Sequence, residues 1–337
     1  MMFNVKDLEL HIPQDVDFNW GETHYFGWYL PEERIFANIY QVARPGVGAQ
    51  VSDIVVYGFL TEKRWGAIHY DVSEHLPLVE SYLDYKLPNG MAVKCVKPPR
   101  DYRIDYTGRN GTEFHLDYHG LMDPFDIHDA DVNVRAQATK EKQEEHSGFG
   151  AGYRGHYDMT CEVKGEVVLG GRRFQVDCVD TIDHSWGPRQ EHDMRALCWV
   201  HAHFGKDLTA HMILHRDPFG PPEQEYSLAH GYVLRNGVVH PIVSADVRAA
   251  RMNGLQAVSM DAHITDTSGQ TLDIQGSAVS GGDWTCYLQL IIFNTLHRWV
   301  NNHGQVGWGV SQDSWGTDAV CERNLKAYFD GKLTGIL

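Results

Sequence analysis

The feature that most constrains this chain is a period-two alternation of apolar and polar residues, interrupted at short intervals by turn chemistry. Ile35 to Val42, Val51 to Leu60 and Val163 to Leu169 read as strands. Phe114, Leu116 and Tyr118 alternate with His115, Asp117 and His119, so one apolar face backs one polar face. Val132, Val134, Ala136 and Ala138 repeat the pattern more weakly. Between such runs fall Pro88-Asn89-Gly90, Gly170-Gly171, Arg235-Asn236-Gly237 and Ser268-Gly269, the residue types that tight hairpin turns require. Strands at this spacing predict an all-β chain of antiparallel barrels or sandwiches rather than βαβ units. Helical signals are few. One helix is expected over Ala319 to Asp330, capped by Thr317 or Asp318 and stopped by Gly331. Thr139 to His146, then the glycine-rich Ser147 to Gly152, reads as a long surface connection lying over a pocket.

A chain of 337 residues is long enough for two domains. Asp313-Ser314-Trp315-Gly316 echoes the later part of Asp183-His184-Ser185-Trp186-Gly187, and both follow an alternating run. The echo suits two halves of similar build, with a boundary near 190: residues 1–190 and 191–337. A formal net charge of −16, from 45 acidic against 29 basic residues, argues against nucleic acid or an anionic membrane surface as partner. Met1 to Leu10 lacks a basic stretch followed by an apolar one, so no secretion signal is expected. The apolar run Leu288 to Phe293 is interrupted by Gln289 and far too short to span a bilayer. Six cysteines (95, 161, 178, 198, 286, 321) are scattered without a C-x-x-C pair, which fits reduced thiols and a cytoplasmic location.

Several cofactor signatures are missing. Gly148, Gly150 and Gly152 do not complete a dinucleotide fingerprint, Gly205-Lys206 lacks the upstream glycine of a phosphate loop, and no G-x-S-x-G occurs. No nicotinamide, flavin or nucleotide cofactor is expected.

Reaction chemistry concentrates at Asp183-His184-Ser185-Trp186-Gly187-Pro188-Arg189, after the apolar run that ends at Ile182. Neighbours on a strand point to opposite faces, so Asp183 can orient His184 only if the strand breaks. Gly187-Pro188 predicts such a break. A histidine held by a carboxylate is a competent acid or base near neutrality, and an indole face attracts positive charge by about 0.5–2 kcal/mol. A structural alternative has Asp183 and Arg189 closing the turn as an ion pair, with Trp186 as an interdomain plug. A second cluster is Trp199, His201, His203, His211 and His215. A turn centred on Lys206 puts His201 and His203 on one face, with His211 opposite His201. Three imidazoles there read as pocket-lining polar groups, as plain surface, or as zinc ligands, although no carboxylate is placed to orient them. Trp20, Tyr25, Phe26, Trp28 and Tyr29 flank Glu22 and His24; such a mixture describes either a small-molecule pocket or a barrel core.

The run from Gly155-His156-Tyr157-Asp158 through Val163 to Phe174 and on to Asp180 to Arg189 resembles the hydroxyneurosporene synthase (carotenoid hydratase) and AttH-like superfamily, as does the opening Trp20 to Phe26. The resemblance rests on about 35 residues. It implies two consecutive lipocalin-like β-barrels packed together around a deep hydrophobic pocket. It also implies cofactor-free chemistry on greasy substrates, either water addition to a carbon–carbon double bond or cyclisation. The family's His-x-Trp catalytic pair carries over onto His184 and Trp186; its Tyr-x-Asp pair falls near His211-Met212-Ile213 and is not matched.

The expected function is a cofactor-independent lyase or isomerase acting on a hydrophobic small molecule such as a terpenoid, steroid or aromatic compound. His184, Trp186 and Asp183 are the candidate catalytic residues; His201, His203, His211 and Arg189 are the candidate substrate-binding residues. The alternatives are a non-catalytic carrier of hydrophobic ligands and a zinc enzyme built on His201, His203 and His211.

Overall fold

The computed structural model describes residues 5–190, 192, 196–252 and 255–331. Residues 1–4 of the amino-terminal stretch, residues 191 and 193–195 beside the expected boundary, and residues 332–337 lie outside the described residues.

Nearly all regular structure is antiparallel strand. The first sheet comprises β1 (Trp20–Leu30), β2 (Ile35–Arg44), β3 (Ala49–Tyr57), β4 (His69–Pro77), β5 (Asp84–Lys86), β6 (Met91–Lys97), β7 (Asp101–Thr107), β8 (Glu113–Gly120), β9 (Phe125–Asp126), β10 (Gly155–Leu169) and β11 (Arg172–Pro188). Its order is β4-β3-β2-β1-β11-β10-β8-β7-β6-β5, with the short β9 on β10. The sheet curls into a half-barrel. Side chains bridge the gap between its ends: Tyr106 on β7 donates to Asp71 on β4 (2.7 Å), and Asn89 donates to Ser52 on β3 (3.0 Å).

The second sheet is a closed eight-stranded barrel of β12 (Leu197–His203), β13 (Leu208–Arg216), β14 (Tyr226–Arg235), β15 (Val238–Met252), β16 (Gln256–Asp266), β17 (Thr271–Trp284), β18 (Leu290–Asn301) and β19 (Val306–Gly316). The expected hairpins close where turn chemistry was read. Asn236 and Gly237 take φ of 48° and 79°, and Gly170 and Gly171 take 57° and 79°, the conformation of two-residue turns between twisted strands. The alternating run at Phe114–Tyr118 is β8. Helix α2 (Thr317–Phe329) lies where a terminal helix was expected, but Gly316, not Thr317 or Asp318, is at its N-cap and no side chain caps it.

Three local expectations need correction. Val132 to Ala138 forms turns, not a strand, with Val134 exposed. The charged stretch after Thr139 is helix α1 (Lys140–His146), whose Thr139 side chain caps the Lys142 N–H. And β11 does not break at Gly187-Pro188: Gly187 pairs with Gly21 and Pro188 with Trp20.

Burial separates strands that face solvent from strands covered on both sides. β8 alternates, whereas β1 and β12 are buried at every residue. The reason is packing. The outer faces of β1, β2, β10 and β11 lie against the barrel, so Trp199, Ile213, Tyr232 and Leu234 join the first sheet's apolar cluster. Val200, Ala202, Met212 and Val233, their strand neighbours, fill the barrel's own interior. A parallel bridge between Leu60 and Gly281 and a hydrogen bond from Asn294 to Asn38 (3.0 Å) tie the two sheets further. Among the described residues, no helix is long and apolar enough to cross a membrane.

Candidate active site

Because β11 stays regular, its residues divide cleanly between two environments. His184 points into the curl of the first sheet, fully buried among His24, Tyr82 and Tyr157. Its Nε2–H donates to Glu22 Oε1 (2.7 Å), and Tyr157 donates to its Nδ1 (3.2 Å). His11 donates to the same Glu22 oxygen through Nδ1 (2.8 Å), while its backbone N–H reaches Oε2 (2.6 Å). Burial alone would raise the Glu22 pKa, but His11 and His184 together hold it below the usual value. Burial pushes the His184 pKa down against the pull of Glu22, so the ring is neutral. Trp186 is half-buried. It stacks on His11 with centroids 3.6 Å apart and meets His184 edge-on at 5.3 Å. Glu22, not Asp183, is therefore the carboxylate that orients His184. Asp183 was expected in that role, but strand alternation sends it to the opposite face.

On that opposite face Asp183 lines a cavity of about 50 Å³ between the sheets, with Tyr40, Arg189, Trp199, Trp284 and Tyr287 among its neighbours. One Asp183 oxygen, Oδ1, is buried without a hydrogen-bond partner. Burial lifts its pKa to about 7; Asp158 adds to the rise, while His156 and Arg189 oppose it. The expected Asp183–Arg189 ion pair does not form. Arg189, itself buried, donates to the Gly152 carbonyl and to Ser185 Oγ (2.8 Å), with its guanidinium near the Phe149 and Tyr153 rings. Close packing at Gly21 makes room for it, since a Cβ there would lie 2.6 Å from the Arg189 side chain. Tyr40 and Tyr287 meet through their hydroxyls (3.2 Å).

Both indoles of the cavity are anchored by buried carboxylates. Trp199 Nε1 donates to Asp158 (3.1 Å), and Trp284 Nε1 donates to Asp53 (3.2 Å). Burial raises Asp53 to about 8. Asp158 would also be raised by burial, but His156 and His211 hold it well below the usual carboxylate range.

The histidine patch is assembled as the hairpin predicts, with His201 opposite His211 and both His201 and His203 on the face turned to the first sheet. All three rings are fully buried and lie outside the cavity's lining. Contrary to expectation, carboxylates do stand beside them. Asp180 Oδ1 lies 3.1 Å from His201 Nε2 and 3.7 Å from His203 Nε2, and Asp158 Oδ2 lies 3.0 Å from His211 Nε2. The structure thus separates the seven expected residues into three groups: His184 with Trp186, Asp183 with Arg189, and the histidines with Asp158 and Asp180. Sequence reasoning missed Glu22 and Asp158 as partners, although both sat inside runs it had singled out.

The structure is similar to that of an AttH-like protein from Nitrosomonas europaea, with a TM-score of 0.54 and 14% identity, covering 90% of this chain and 95% of that one. It is also similar to kievitone hydratase from Nectria haematococca, with a TM-score of 0.51 and 11% identity, covering 89% and 90% of the two chains. At these identities the likeness is one of fold, and it agrees with the lipocalin-like all-β fold that the resemblance implies. No curated protein matches in sequence. The model of one family, described as a domain of unknown function (DUF7064), matches residues 4–317. The chain belongs to the DUF7064 family.

Proposed function

We propose that this protein is an acid–base enzyme, a lyase or isomerase of the hydratase, dehydratase or cyclase type, acting on a hydrophobic small molecule. The observation that carries the reading is the state of Asp183: a buried carboxyl with an unpartnered oxygen, held near neutrality, on an aromatic cavity between two sheets. A group that is half-ionised near pH 7 both donates and accepts protons. In the hydratase version, the Asp183 proton and an alkene's π pair form a new C–H bond. Water then adds its oxygen to the adjacent cationic carbon and returns a proton to the Asp183 carboxylate. The faces of Trp199 and Trp284 favour the intermediate cation by about 0.5–2 kcal/mol each. Arg189 stabilises negative charge where the substrate carries an oxygen.

A cavity of about 50 Å³ has room for about one or two water molecules, well below the roughly 300 Å³ of an ordinary ligand site. A surface groove of about 350 Å³ lies next to it, and Phe149 and Arg189 line both spaces. Phe149 follows α1 and stands between Gly148 (φ 98°) and Gly150 (φ 62°), where the backbone turns freely. Swinging its ring aside joins groove to cavity and admits a substrate of terpenoid, steroid or aromatic type.

The test uses purified protein, a panel of such alkenes, and heavy-oxygen water. Wild type incorporates label into product, and Asp183→Asn does so at least ~100-fold more slowly. Ligand recovered unchanged from wild type across the panel would favour a carrier. A second reading is favoured by the neutral His184 ring bonded to Glu22, beside a half-buried Trp186. It places proton transfer inside the curl. Loss of turnover in His184→Ala with activity retained in Asp183→Asn would select it.

A further inference from the structure

The geometry points to a divalent transition-metal site, of the kind zinc occupies, formed by Asp180, His201 and His203 between the two sheets. One oxygen and two imidazole nitrogens lie within 4.8 Å of one another, and all three residues are buried. The set of two histidines and one carboxylate is a standard one for zinc and related ions.

Direction matters here as much as distance. His201 Nε2 and His203 Nε2 stand 3.1 Å and 3.7 Å from Asp180 Oδ1, yet neither makes a hydrogen bond, and both ring nitrogens of both histidines lack a partner. Donors around a common ion sit close together without aiming at one another. With metal–ligand bonds of about 2.0–2.1 Å, tetrahedral ligand atoms lie roughly 3.3 Å apart. The two observed separations bracket that value. The inner cluster behaves differently: His11 and His184 are just as near Glu22, but their N–H groups aim at its oxygen and form true hydrogen bonds. Four unpartnered ring nitrogens in a dry interface would each cost about 1–3 kcal/mol, which an ion removes for the two that bind it.

The local fold supports the placement. Gly27 on β1 is the reason the carboxylate fits, since a Cβ there would lie 2.2 Å from Asp180 Oδ2. Asp180 is further fixed by the Thr181 N–H (2.9 Å). His211, expected as the third ligand, stands beside Asp158 instead (3.0 Å), its ring nitrogens likewise without a hydrogen-bond partner. Asp180 belongs to β11, whereas His201 and His203 belong to β12, so the ion would join the half-barrel to the barrel. Trp199, two residues before His201 and 4.6 Å from its ring, would be held against the cavity as a consequence. Because all three ligands are buried, the ion would enter as the chain folds.

The experiment is elemental analysis of the untagged full chain, expressed with added zinc and purified without a metal column. The expected result is one zinc per chain, with absorption-edge spectroscopy giving nitrogen and oxygen neighbours at about 2.0–2.1 Å. A His201→Ala, His203→Ala double variant should hold less than a tenth of that zinc, and Gly27→Ala should hold less than half. Cobalt grown into the wild type should show the visible bands of a low-coordinate nitrogen–oxygen site. The wild-type measurements stand whether or not the variants fold. Wild type without zinc or cobalt, or zinc fully retained by a folded double variant, overturns the site.

Discussion

On the inward face of β11, His184 sits in a network where each ring nitrogen has a partner and Glu22 answers two imidazoles at once. One residue earlier, on the face turned to the barrel, Asp183 keeps an oxygen unpartnered beside a cavity. Both side chains are buried, and both belong to the same short motif. Their difference separates polar groups that hold a fold from polar groups that are held ready by it. A satisfied buried network contributes rigidity, and breaking it is costly. A carboxyl kept near neutrality by burial is strained toward its neutral form, and the surrounding structure bears that cost.

The largest expected effect breaks the inner face. Glu22→Ala leaves His11 and His184 without their shared acceptor and should cost about 3–5 kcal/mol in urea unfolding. If it costs under 1 kcal/mol, the inner network is not structural. The outer face should respond with the opposite sign. Raising Asp183 from 3.8 to about 7 on folding means the folded chain binds the extra proton, so stability falls as pH rises from about 4 to about 7 and then levels off. That linkage amounts to at most about 4 kcal/mol. Asp183→Asn removes it, so the variant should gain on wild type at pH 8 and show little gain at pH 4, in paired melting curves. An equal change at both pH values would contradict the linkage.

A smaller effect probes Trp186. Gly155 lies so close that an added Cβ would fall 2.1 Å from the indole. Gly155→Ala should therefore displace the ring and cost about 1–3 kcal/mol, while leaving chemistry at Asp183 intact. The smallest effect is expected at the partition between groove and cavity. Phe149→Ala should speed uptake of a fluorescent apolar dye several-fold, with less than about 1 kcal/mol lost. Unchanged uptake would mean that ligands enter elsewhere.

How much of this was legible in the sequence follows from what each feature depends on. Local rules were enough for the hairpins: Asn236-Gly237 and Gly170-Gly171 turn as their φ preferences dictate. Alternation found β8 because one face of that strand meets solvent. It said little about the course of β1 or β12, where neighbours cover both faces and polar and apolar residues alike are buried. The motif at Asp183 to Arg189 marked the right strand, but its internal geometry was misread. Gly187-Pro188 reads as a break, whereas Gly187 takes a φ of 154°, which residues with a side chain rarely adopt, and so stays paired with Gly21. The partners that decide roles lie far away in sequence. Glu22 is 162 residues from His184, and no spacing rule connects them. Asp158 and Asp180 reach the histidines only because two sheets pack face to face. The aromatic stretch from Trp20 to Tyr29, by contrast, became core as its composition suggested.

The most direct measurement needs no substrate. Carbon-13 labelling of aspartate carboxyls, with pH titration of wild type against Asp183→Asn, isolates one resonance. That carboxyl should titrate near pH 7 in the folded wild type and vanish from the variant's spectrum. A resonance for Asp183 that titrates below pH 5 would show an ordinary, well-solvated or paired carboxylate, and proton transfer at the inter-sheet cavity would lose its basis.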